Sequence, residues 1–135
     1  MTRRVLFVIS VVAMAFGADP AGDAAAVITE LAASLTAGNA QEFMAAFDRG
    51  MPGYDKLRDN VTALVRSGET QSYIEIVKNE GDDKVRTIDM SWELRVKREG
   101  DATASRREAQ VRCKLEKQGK RWKIVEMAPV EFLGP

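Results

Sequence analysis

The chain has 135 residues, with 20 Lys and Arg against 20 Asp and Glu, no histidine and one cysteine. The lack of histidine excludes Ser-His and Cys-His nucleophilic machinery and histidine metal ligands. A single cysteine excludes an internal disulfide, so stability must come from packing.

The chain opens with "MTRRVLFVISVVAMAFGADPAG". Arg3 and Arg4 precede an apolar run from Val5 to Phe16, then small residues, then Asp19-Pro20. That order is a secretory leader, and the run is short for a bilayer span. Ala15-Phe16-Gly17 fits the small-x-small cleavage rule, with Ala13-Met14-Ala15 as the competing site and an uncleaved anchor as the other reading. We take residues 1–17 as a signal peptide and 18–135 as one domain, exported to the periplasm or the extracellular space. No later stretch is apolar enough to insert stably in a membrane. The remaining 118 residues suffice for a single core. They carry a slight negative charge, 18 basic against 20 acidic.

Helical spacing fills the front half. Val27, Ile28, Leu31 and Leu35 make one apolar face, ended by Gly38. Asn39 with Glu42 reads as a capping box for a second helix whose buried stripe is Phe43, Ala46 and Phe47. "RGMPGY" breaks it. Tyr54, Leu57, Val61, Leu64 and Val65 then share the face of a third helix, closed by Ser67-Gly68.

The period then shortens to two. "TQSYIEIVKNE", "KVRTIDMSWELRVKR", "REAQVRCKLEK" and "RWKIVEMAPVEF" read as four strands joined by turn-forming loops. In the second, Ile88, Met90, Trp92, Leu94 and Val96 alternate with mostly charged residues, which suits a sheet covered on one face. Cys113 falls in an apolar phase and reads as a small buried hydrophobe. If Trp122 and Ile124 point inward, alternation turns Glu126 inward as well. Pro129 cannot donate to a ladder and marks a bulge or the strand's exit. The fold expected is α+β, with three N-terminal helices packed on a strongly curved four-stranded antiparallel sheet.

This order resembles the nuclear transport factor 2-like superfamily, with its SnoaL-like and ketosteroid-isomerase-like members. The helix pair "LAASLTAGNAQEFMAAF", the break before "YDKLRDNVTALV" and the closing "GKRWKIVEMAPVEF" carry the resemblance. It implies a cystatin-like cone whose open end is often a pocket. It also implies that Asp48, beside the "RGMPGY" break, stands at the pocket mouth, with Glu126 facing it. Ketosteroid-isomerase-like relatives pair an acidic base with a tyrosine and a protonated acid. Their motif does not transfer residue by residue, so no catalytic role is assigned.

The pocket candidates are Asp48, Tyr54, Met90, Trp92 and Glu126. Met90 and Trp92 grip an apolar ligand or simply fill the cone. No pattern calls for a cofactor or a metal. The sequence reading is a non-catalytic module for a small apolar molecule or a protein partner, with a cofactor-free isomerase- or dehydratase-like enzyme as the alternative. Nucleic acid is not an expected partner, since the mature charge is negative and the aromatics point inward. The basic residues clustered on the late strands, from Arg95 to Lys123, are mixed with Glu93, Glu108 and Glu116, as cross-strand pairs would be. A monomer or a weak homodimer is expected from such a face.

Overall fold

A computed structural model describes residues 19–135, so the expected leader and a mature start at Ala18 lie outside the described residues. Three helices precede a four-stranded meander: α1 (Pro20–Thr36), α2 (Ala40–Ala45), α3 (Tyr54–Ser67), β1 (Gly68–Gly81), β2 (Val85–Arg98), β3 (Ser105–Gln118) and β4 (Arg121–Ala128). A 3-10 turn, Val130–Leu133, follows. The strands run antiparallel in the order β1-β2-β3-β4, and the sheet curves around the helices. The α+β cone read from the sequence is the observed architecture.

The helix ends are chemically specified. Asp19 caps α1 by accepting from the Gly22 amide at 3.1 Å, and Pro20 stands where no donor is needed. Asn39 caps α2 by accepting from the Glu42 amide at 3.0 Å. The expected capping box takes a variant form. The Glu42 carboxylate meets the Asn39 side-chain amide at 3.4 Å and the Ser34 hydroxyl at 2.9 Å, while the Asn39 backbone amide donates to Ser34 O. Asn39→Ala should therefore cost about 1 kcal/mol, read as a lower urea midpoint at unchanged slope.

Helix α2 stops at Ala45, so Phe47 is not part of its stripe. The free edge of β4 competes for this backbone. Ile124 N donates to Ala46 O at 2.9 Å, and Asp48 N donates to Ile124 O at 2.8 Å. Phe47 thus enters a short parallel bridge with Ile124 that covers the edge. At the other edge, α1 is tied to β1 at both ends. Ser72 N donates to Thr36 Oγ1 and Asn79 Nδ2 donates to Ala21 O, each at 3.0 Å.

The sheet's inner face carries Ile88, Met90, Trp92, Leu94 and Val96 from β2, Val111, Cys113 and Leu115 from β3, and Trp122 and Ile124 from β4. They meet Ile28, Leu31, Leu35, Phe43, Leu57 and Val61 from the helices in one core. Two bulges break the alternation. In β1 the register shifts between Ile76 and Lys78, leaving Val77 without a partner and 64% exposed. In β4, Leu115 pairs with Ile124 but Lys114 pairs with Glu126, so Val125 is the extra residue. A one-residue insertion reverses the faces beyond it. Met127, not Glu126, therefore takes the next inward position.

The last strand is shorter than its sequence pattern suggests. It ends at Ala128, before Pro129, and the chain turns to bury Phe132 and Leu133. Arg107 Nη1 holds this turn by donating to Phe132 O at 2.7 Å and Gly134 O at 2.5 Å. Val130 packs over Gly53, where φ is 82° and an added Cβ would lie 3.3 Å from a Val130 methyl. Glycine meets both demands there.

Candidate functional site

The wide interior between sheet and helices is occupied by large side chains. Trp92 is fully buried, and its Nε1 donates to Ser72 Oγ at 2.8 Å. Around it, Phe132 lies at 5.5 Å and Phe43 at 6.3 Å between ring centroids, and Phe43 reaches Phe47 at 5.4 Å. Tilted rings at such separations are mutually attractive. Met90 is also fully buried. Both side chains belong to the buried core cluster.

Asp48 and Tyr54 come together in an outer groove of about 790 Å³ between α2 and α3. Met44, Phe47, Arg49, Arg58 and Lys123 also line it. The groove therefore combines apolar surface with three cations and one carboxylate. Asp48 shapes the loop: Oδ2 accepts from Gly50 N at 2.9 Å and Oδ1 accepts from Gln118 Nε2 at 3.1 Å. Lys123 Nζ donates to Ala45 O, and Arg58 sits 3.4 Å from Asp55 and 3.5 Å from Asp59. Glu126 does not join Asp48. It stands on the outer sheet face, its side chain 64% exposed and 3.7 Å from Lys114. The Val125 bulge is the physical reason.

Arg49 and Arg58 were not singled out from the sequence. Tyr54, Arg58 and Thr62 recur at i, i+4 and i+8, and all three line the groove. That spacing was a readable signal for one helical face. Arg49 and Lys123 reach the groove only through the tertiary contact of the Asp48 segment with β4.

No family model and no curated protein matches the chain. Solved structures do. A conserved protein from Planctomyces limnophilus DSM 3776 superposes with a TM-score of 0.71 at 5% identity, covering 78% of this chain and 90% of that one. A ketosteroid isomerase-like protein from Erwinia carotovora atroseptica gives 0.66 at 11% identity, over 81% and 93%. An NTF-2 like protein of unknown function from Shewanella oneidensis MR-1 gives 0.60 at 13% identity, over 80% and 96%. The fold is that of the nuclear transport factor 2-like proteins. At these identities the likeness extends to the fold alone.

On this nuclear transport factor 2-like sheet the outer face is laced with ion pairs. Glu93 receives Arg95 at 2.6 Å and Arg106 at 3.1 Å, and Arg106 also lies 3.5 Å from Glu108. Arg112 reaches Asp89 at 2.6 Å. Hydrogen bonds from Arg106 and then Arg95 hold the Glu93 carboxyl below its ordinary range, and one from Arg112 does the same for Asp89. Arg95 also stacks over the Tyr73 ring at 5.3 Å. Arg106 and Arg112 are thus engaged across to β2, while Arg95 pairs within its own strand.

Cys113 behaves as its alternation suggests. Burial pushes its thiol up to about 12. In the unfolded chain it titrates near the ordinary cysteine value, so the unfolded state loses a proton first as pH rises. The neutral thiol's contribution is complete below that value and falls away through about 12. Relative to Cys113→Ala, the parent should lose up to about 1.4 kcal/mol of stability per pH unit within that window. Denaturant midpoints of both proteins from neutral to alkaline pH measure this, and parallel pH profiles would contradict the burial.

Proposed function

We propose that this chain is an exported, non-catalytic module that binds a protein partner beside its filled cone. The observation that carries the reading is the packing of Trp92 among Phe43, Phe132 and Ser72, at the place where an apolar guest would otherwise sit. A small apolar ligand inside the cone would have to displace that cluster. A protein can instead use the outer groove, where Met44 and Phe47 offer apolar contact and Arg49, Arg58 and Lys123 offer charge. The enzyme alternative draws on the ketosteroid isomerase-like neighbour. It needs a carboxylate held inside the cone, whereas Glu126 faces solvent and Asp48 braces an outer loop.

Native mass spectrometry of protein purified from its own host tests both halves of the proposal. The expected species is a chain beginning near Ala18, together with a polypeptide partner. A chain with intact Met1 recovered from membranes would overturn export. A small apolar molecule released only on unfolding would overturn the filled cone.

A further inference from the structure

A second groove, of about 600 Å³, runs between α1 and β4 and shares Ala45 and Lys123 with the first. Asp23, Val27, Glu30 and Ser34 supply one wall, at the spacing of a single α1 face. Lys120, Arg121 and Lys123 supply the other, and Glu42 adds a third carboxylate. Val27, Leu31 and Trp122 are also among its lining residues. Three acids against three bases leave the groove neutral overall, with its charges separated onto opposite walls.

Among the described residues, no ion pair joins these walls. Glu42 is held by Ser34 and Asn39, and Lys123 donates to Ala45 O. Among the described residues, Asp23, Glu30, Lys120 and Arg121 have no oppositely charged partner. Helix α1 is pinned to β1 at both ends, through Thr36 and Ala21, so its acidic face is not free to slide onto β4. The separation of charge is thus built into the fold.

Trp122 supplies a reporter at this groove. It lines this groove, it is only 5% exposed, and among the described residues its buried Nε1 has no hydrogen-bond partner. The other indole, Trp92, donates to Ser72.

We propose that the α1–β4 groove binds a small zwitterion. Its cationic end sits against Asp23 and Glu30, and its anionic end sits between Lys120 and Arg121. The Trp122 indole lies beneath the occupant, and the short apolar body covers Val27. A simple anion would pair with β4 but face the carboxylates of α1, and a simple cation would meet the reverse. Only an occupant carrying both charges satisfies both walls of a neutral groove.

The test uses three probes of matched length: 6-aminohexanoate, hexanoate and hexylammonium. Nitrogen-labelled protein reports both indole N–H resonances. With 6-aminohexanoate the Trp122 resonance should move saturably while that of Trp92 stays in place. Affinity should exceed that for hexanoate or hexylammonium by about tenfold or more. The Asp23→Asn, Glu30→Gln pair and the Lys120→Gln, Arg121→Gln pair should each lose about tenfold for the zwitterion, with the Trp92 resonance certifying the fold. The three-probe comparison on the parent protein stands without the variants. Equal binding of hexanoate would make this a plain anion site and overturn the proposal. So would an unmoved Trp122 resonance, or affinity indifferent to either pair of substitutions.

Discussion

Trp92→Ala is expected to destabilise the protein by about 3–5 kcal/mol, a large part of the stability of a domain this size. The side chain is fully buried, with Phe43 and Phe132 against its ring. Truncation leaves a cavity that the ring neighbours cannot collapse into without leaving their own contacts. It also strips Ser72 Oγ of the donor it meets at 2.8 Å. Trp92→Phe separates these effects, since it keeps most of the volume and loses only the indole N–H. Urea denaturation of the three proteins measures both losses. A Trp92→Ala midpoint close to the parent's would mean that the cone has room at this position and is not filled.

Arg86→Ala should cost about 2–4 kcal/mol, although Arg86 lies far from either groove's charged walls in sequence and, among the described residues, carries no carboxylate pair. Arg86 occupies the inward phase of β2 and is 7% exposed. Nε donates to Asn79 Oδ1 at 2.8 Å, Nη1 to Asp82 O at 3.1 Å and Nη2 to Asn79 O at 3.2 Å. One guanidinium therefore fastens the β1–β2 hairpin. It also orients Asn79, whose amide holds the start of α1 through Ala21 O. Removing it leaves three acceptors without their donor and frees one end of α1. Lysine is not expected to rescue the loss, because a single ammonium cannot span three acceptors as a planar fork does. Denaturation gives the magnitude. Hydrogen exchange should show the amides of the hairpin and of the first turn of α1 opening together, and protection unchanged at either place would contradict the shared role.

Periodicity made the elements legible. The 3.6-residue stripe of α1 and the strict alternation of β2 appear in the fold nearly as read, because a buried face imposes its period on the residues that form it. The failures arise where tertiary structure overrides a local pattern. "WKIVEMAP" alternates plausibly, and no glycine marks an irregularity in it. The extra residue at Val125 is set by how β4 registers against β3, and it carries Glu126 to the solvent. Phe47 has the spacing of a helix stripe, yet the edge of β4 takes its flanking backbone groups. Of the five site candidates, Asp48 and Tyr54 share a groove, Met90 and Trp92 are buried in the core, and Glu126 stands apart. The walls of both grooves combine residues separated by half the chain, such as Arg58 with Lys123 and Glu30 with Lys120. Periodicity within one element carries no information about such meetings.

Methionine methyl NMR tests most directly whether binding occurs beside a filled cone. Met90 is fully buried in the cone wall, while Met44, 6% exposed, lines the α2–α3 groove. With methyl-labelled methionine and the apolar sulfonate 1-anilinonaphthalene-8-sulfonate as probe, the Met44 resonance should shift with increasing probe while Met90 holds its position. A probe-dependent shift of Met90 with Met44 unmoved would place the guest inside the cone and contradict the filled interior.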